Sequence, residues 1–254
     1  LFTLQPIIDF VKRFFLCVII CLMIAKSIQK ELRKHATRDR AKASAWFFKT
    51  EKGQYGHGDK FIGVTNPVAR SIALKYKDID LAEVLKLLNF TIHEERFVAL
   101  EILVAKYEKG DKAEQKKIAN FYLKNKVRVN NWDLVDTSAH YILGHYLFDK
   151  DRSVLYKLAK SKSLWDRRIA VVSTAYFIKQ KDFKATLVLA LLLKKDKEDL
   201  IHKAVGWMLR EVGKRDEKTL TNFLDKNKLE LPRTTLRYAI ERLSDVQRRN
   251  YMTK

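Results

Sequence analysis

Two tryptophans, one aspartate and two cations stand at spacings that can build a charge-handling site. Trp132 precedes Asp136 by four residues and Trp207 follows Lys203 by four, so on helices each indole shares a face with a charged side chain. Arg168 lies between the two segments. A carboxylate flanked by indole faces is suited to stabilising positive charge, since an aromatic face attracts a cation by about 0.5–2 kcal/mol and a fixed carboxylate adds preorganised negative potential. Arg168 and Lys203 are suited to phosphate groups. Each residue has an ordinary alternative: tryptophans at helical spacing often fill cores, and an acid in basic surroundings often pairs with a neighbouring Arg or Lys. Trp165 opens a helix with no acid on its face and is read as structural. His140, four residues beyond Asp136, is explained by a helical hydrogen bond. His93, His145 and His202 are scattered and no HExxH pair occurs, so no metal site is expected. No organic cofactor is called for either.

The elements that must position these residues repeat along the chain. Arg96-Phe-Val-Ala-Leu, Asp136-Thr-Ser-Ala-His, Arg168-Ile-Ala-Val-Val and Lys203-Ala-Val-Gly-Trp each put a polar residue ahead of an apolar or small run, and Arg237-Tyr-Ala-Ile is a looser fifth copy. Their separations of 40, 32, 35 and 34 residues match helix-pair repeats, which need roughly 30–47 residues. Stacked side by side, such units align equivalent positions into a ladder of Arg, Asp, Arg, Lys and Arg along one surface. Asp136 is its only acid. Helices are expected over residues 65–77, 80–89, 91–107, 111–125, 131–147, 152–161, 164–180, 182–194, 197–213, 216–227 and 232–243, with two more across Ser27 to Thr50. Thr91-Ile-His-Glu94 has capping-box form. The glycine-bearing loop from Gly53 to Lys60 follows no strand and leads into no GKS or GKT, so it reads as a connector. No strand alternation competes, and the expected fold is an all-α solenoid of HEAT-like helix pairs with a concave basic groove, treated as one domain over residues 23–254.

Composition narrows the partner. The 254 residues carry 51 Lys and Arg against 30 Asp and Glu, a net charge of +21, which points to a polyanion such as nucleic acid. At 47% hydrophobic residues, with only 8 Gly and 3 Pro, the chain has ample material for a packed helical interior. Cys17 and Cys21 are the only cysteines; the pair excludes a disulfide framework and fits a reducing, cytoplasmic compartment. Residues 14–25 are uncharged behind Lys12-Arg13 and too short to span a bilayer. Since the first methionine is Met23, residues 1–22 are read as upstream or misjoined translation, with an export signal or anchor as the alternative.

Three segments, Asn131-Trp-Asp-Leu-Val-Asp136, Leu164-Trp-Asp-Arg-Arg-Ile-Ala170 and Ile201-His-Lys-Ala-Val-Gly-Trp-Met-Leu-Arg-Glu211, resemble the DNA alkylation repair glycosylases of the AlkD type. The resemblance runs from about Ile28 to the C-terminus. It implies a HEAT-like solenoid that grips duplex DNA and releases N3- and N7-alkylated purines in base excision repair. It further implies catalytic roles for Trp132, Asp136 and Trp207, and a place beside the lesion for Arg168. Phe47 falls where relatives can carry a tyrosine against the DNA backbone, so the apolar contact is kept and a hydroxyl is lost. The implied partner is double-stranded DNA containing alkylated purines, met by a monomer without an obligate protein partner, associated with the nucleoid through DNA and not with a membrane. A non-catalytic HEAT-repeat DNA-binding protein is the alternative; a peptide-binding scaffold accounts least well for the Trp-Asp-Trp cluster.

Overall fold

A computed structural model describes residues 24–253; the expected N-terminal extension, residues 1–22, lies outside them. The chain divides after Lys109 into two compact units. The first holds α1 (residues 24–34), α2 (Arg38–Phe47), α3 (Asn66–Lys75), α4 (Leu81–Asn89) and α5 (His93–Lys109). The second holds α6 (Lys112–Asn125), a 3-10 turn (Lys126–Arg128), α7 (Trp132–Asp136), a π-helical turn (His140–Gly144), α8 (Ser153–Ala159), α9 (Leu164–Lys179), α10 (Lys184–Leu192), α11 (Asp199–Gly213), α12 (Glu217–Asn227), α13 (Arg233–Ala239) and α14 (Asp245–Met252). Among the described residues the only extended pairing is one isolated bridge, Lys60 with Ile92. The fold is all-α. No helix of the described residues is long and apolar enough to cross a membrane.

Local chemistry sets most helix starts. Asp80, Asp111 and Asp216 accept the backbone N–H three residues on, at the heads of α4, α6 and α12, which satisfies donors the helix cannot pair itself. Ser244 and Gln247 form a reciprocal capping box that starts α14. Thr91 to Glu94 departs from expectation. The Glu94 carboxylate accepts N–H groups of Ile62, Gly63 and Val64 at 2.7–3.2 Å, because that buried loop has donors with no other partner, and buried donors must be met. Glu94 therefore anchors the loop rather than the head of α5.

In the first unit α5 packs on α3 and α4, and Phe97, Leu100, Leu103 and Tyr107 are buried in its core. Arg96, expected on the surface ladder, is buried too and bonds Asp59. The other oxygen of Asp59 meets His93 Nδ1 at 3.1 Å, and His93 stacks on Phe61 at 4.5 Å. An Arg in this position satisfies a buried acid, which is why it does not reach solvent.

In the second unit α7 and the π turn pack on α9, α9 on α11, and α11 on α13. α8 and α10 lie against α9, and α12 against α11. The row α7, α9, α11, α13 carries the ladder positions from Asp136 onward. Two expected helices are shorter or broken: residues 131–147 divide into α7, a turn and the π turn, and residues 232–243 end at Ala239 with α14 following.

Contact along this row needs Gly206. A Cβ added there would lie 2.5 Å from Tyr238 Cβ and 2.6 Å from the Thr235 carbonyl oxygen, so α11 and α13 approach only because this residue has no side chain. Gly206→Ala is expected to cost about 1–3 kcal/mol by overpacking, read as a lowered urea midpoint with unchanged m-value. A midpoint equal to the parent's would show that the two helices separate freely.

Candidate active site

The site begins with how α7 is held. Asn131 is buried and its side-chain oxygen accepts the Trp132 N–H at 2.8 Å. Leu134 and Val135 are fully buried, which turns the opposite side of this short helix, with Trp132 and Asp136, toward solvent. Just beyond it, the Ser138 hydroxyl donates to the Leu134 carbonyl at 2.6 Å and meets the Tyr122 hydroxyl of α6 at 2.9 Å. Burial pushes the Tyr122 phenol well up, so it stays neutral and serves as a structural hydrogen-bond partner.

Arg168 on α9 reaches the carboxylate of Asp136 with two donors, Nε to Oδ1 at 3.0 Å and one terminal nitrogen to Oδ2 at 2.8 Å. Its other terminal nitrogen donates to the Leu200 carbonyl on α11 at 2.7 Å. The guanidinium is 6% exposed and the carboxylate 20%. Such a bidentate pair fixes the plane of the carboxylate as well as its position. Burial pushes the Asp136 carboxyl above its ordinary value, and Arg168 pulls in the opposite direction.

Lys203 on α11 bonds Asp199 one turn earlier at 2.7 Å. The ammonium holds the Asp199 carboxyl below its usual range, but this pair is far more open to water than the Asp136 pair. Trp207, one turn beyond Lys203, is half-buried, as is Trp132. Their neighbours Val205 and Met208 are in the core, so the indoles belong to the surface of the row rather than its interior.

Of the six residues expected to act, the structure brings Asp136 and Arg168 into contact and puts Trp132, Lys203 and Trp207 on the helices of the same row. Phe47 belongs to the first unit, at the end of α2, and is exposed. Arg168 does not stand free for phosphate here, since its donors meet Asp136 and Leu200.

Sequence reasoning missed the polar chain linking the helix heads. Lys126 bonds Asp166 at 2.6 Å, and Arg167 bonds Asp196 at 2.6 Å together with the carbonyls of Ser161 and Lys162. His202 meets the Asp196 carbonyl at 2.6 Å. The available signal was Asp133, Asp166 and Asp199, each in the first turn of its helix and spaced by 33 residues. His140 interacts with the Asp136 backbone, as expected, and burial lowers its imidazole to about 4, so the ring is neutral at pH 7. Among the described residues no three His, Cys, Asp or Glu side chains converge as a metal ion would need.

A helical row whose carboxylate is clamped by an arginine and bordered by half-exposed indoles is a class of site built to meet positive charge. The model of the DNA alkylation repair enzyme family matches residues 28–243, and the chain belongs to that family. A solved structure titled "Predicted DNA alkylation repair enzyme from Enterococcus faecalis" superposes with a TM-score of 0.65 at 15% identity, covering 83% of this chain and 98% of that one. At this identity the likeness concerns the fold. No curated protein matches the chain in sequence.

Removing one partner of the clamp leaves the other charged and partly desolvated. Arg168→Ala is expected to destabilise the protein by roughly 3–5 kcal/mol, and the neutral pair Asp136→Asn with Arg168→Gln by much less than the two single costs combined. Urea denaturation of the double-mutant cycle measures this. Strict additivity would mean that the contact contributes nothing to stability.

Proposed function

We propose that this protein is a DNA glycosylase that excises cationic N3- and N7-alkylated purines from duplex DNA. The observation carrying the reading is the clamped Asp136 carboxylate on a row that also bears Trp132 and Trp207, in a chain of the alkylation repair family. Alkylation at N3 or N7 makes the purine a good leaving group, so departure needs little general-acid help. Charge on the sugar is the remaining difficulty. An ionised Asp136 stabilises the oxocarbenium-like centre, or orients water toward it, as a preorganised group that need not rearrange during reaction. The two indole faces favour the charged lesion or the developing sugar cation over a neutral base.

In this reading Lys203 holds a phosphate beside the site. Arg168 lies next to the lesion and acts through Asp136, keeping the carboxylate ionised and aimed. Phe47 gives an apolar contact to the DNA backbone. The basic excess supplies sequence-independent grip.

The direct test is incubation with methylated duplex and chromatography of the bases released. Free 7-methylguanine or 3-methyladenine above the spontaneous rate is expected. Tight binding with no release would favour a binding-only protein. Asp136→Asn keeps size and polarity while removing charge, so single-turnover excision is expected to fall by at least about tenfold with affinity for DNA held or raised. A parental rate in this variant would remove Asp136 from the mechanism.

The pH dependence has a defined sign. Protonation removes the negative charge, so excision falls as pH drops. Because burial raises the Asp136 carboxyl, the acid limb of the single-turnover rate is expected above the ordinary aspartate value of about 3.9. A limb below that value would show that Arg168 outweighs burial.

A further inference from the structure

The end of α2 is built unlike any other part of the described chain. This helix buries none of its ten side chains. Trp46 near its end is 74% exposed, and Phe47 beside it is also exposed. A large aromatic ring in water, on a helix with no core to fill, gains nothing from folding alone.

The ring sits in a cationic frame that is held in place. Lys42 precedes Trp46 by one helical turn, and the Lys49 ammonium lies 5.3 Å from the centroid of the indole. Lys49 takes a left-handed backbone, φ +54°, uncommon for a residue with a side chain. The following loop keeps it there. Gly56 N–H donates to the Lys49 carbonyl at 3.0 Å, and a Cβ on Gly56 would lie 2.2 Å from the Phe48 carbonyl oxygen, so only glycine lets the chain return this closely. Thr50 N–H and hydroxyl both donate to the Ala45 carbonyl at 3.2 Å. Lys42, Ala45, Trp46, Lys49, Thr50 and Gln54 line the resulting open cleft, with Glu51 at its edge.

We propose that this cleft docks an unstacked nucleobase of DNA, with the base stacked on Trp46 and the adjoining phosphates met by Lys42 and Lys49. A flat exposed ring flanked by ammonium groups matches the two chemistries of a single nucleotide, a π-face and a phosphate, and such stacking tolerates any sequence. A paired base offers no free face, so the cleft selects single-stranded or extrahelical nucleotides over intact duplex. An acidic peptide would satisfy the lysines and leave the indole face uncovered. The site lies wholly within the first unit and does not depend on the chemistry proposed for Asp136.

The test uses the full chain with two unalkylated probes, a fluorescent oligothymidylate and a fully paired duplex of the same length, titrated by anisotropy. Trp46→Ala is expected to weaken oligothymidylate binding about tenfold and duplex binding less than about twofold, while Trp46→Phe keeps most of the single-strand affinity. Lys42→Ala and Lys49→Ala are each expected to reduce the single-strand log–log salt slope by about 0.7. Equal losses on both probes, or parental affinity and slopes in all variants, would overturn the proposal, the second result assigning the surface to a protein partner. Thermal melts followed by circular dichroism separate loss of binding from loss of fold, and the lysine variants decide the matter if Trp46→Ala melts early. Neither probe holds an alkylated purine, so failure of the glycosylase reading leaves this result intact.

Discussion

The second unit depends on one guanidinium. Arg168 grows from α9, closes on Asp136 of α7 through two donors and takes the Leu200 carbonyl of α11 with a third. Three successive members of the row are thereby tied at one buried point. Planarity makes this possible, because the five N–H groups of arginine point in fixed directions that a lysine ammonium cannot reproduce. Apolar burial alone would hold these helices together, with Leu134, Ile169 and Ile201 all inside. It would not fix which way the carboxylate faces. The clamp does, and a carboxylate of fixed orientation is what separates a reactive group from an ordinary surface acid.

Much of this was legible from residue types. The repeat spacing identified the helices that carry Asp136, Arg168 and Lys203, and Gly206 now explains why its segment needs a residue without a side chain between α11 and α13. Arg96 was not legible, since its partner Asp59 lies 37 positions away in a loop without periodicity. Reading Arg168 as a phosphate contact alone overlooked Asp136 for a related reason: an equivalent ladder register places two side chains near one another and leaves open whether they bond each other or a third party. Helix α14 was missed because Asp245-Val-Gln-Arg-Arg-Asn-Tyr-Met252 has almost no apolar stripe. Its Ser244 and Gln247 cap and the Tyr251 bond to Asp225 at 2.8 Å replace the burial that usually announces a helix.

The two units meet charge differently. In the first, the buried acids Asp59 and Glu94 are satisfied by Arg96, His93 and loop N–H groups, which is housekeeping for a buried polar loop. In the second, Asp136 is satisfied by a cation yet remains one-fifth exposed. A chain with a net charge of +21 has no shortage of lysines able to neutralise an acid. Holding this one with an arginine from a neighbouring helix, beside half-buried indoles, keeps it dry enough to matter electrostatically and open enough to meet a ligand.

The π turn from His140 to Gly144 gives the site a dependence on chain length that its composition hides. A π turn accommodates one residue more than an α turn over the same rise, so Trp132 and Asp136 precede a surplus residue while Ile142, Leu143 and Leu147 keep their places in the core. Removing any one residue from this turn would let the helix close into ordinary α geometry and rotate its two ends against each other by about 100°. The core residues would hold their side, and Trp132 with Asp136 would swing off the exposed face. Within this stretch a conservative substitution is a small disturbance, whereas a single-residue deletion that spares every named side chain would turn the carboxylate out of reach of Arg168.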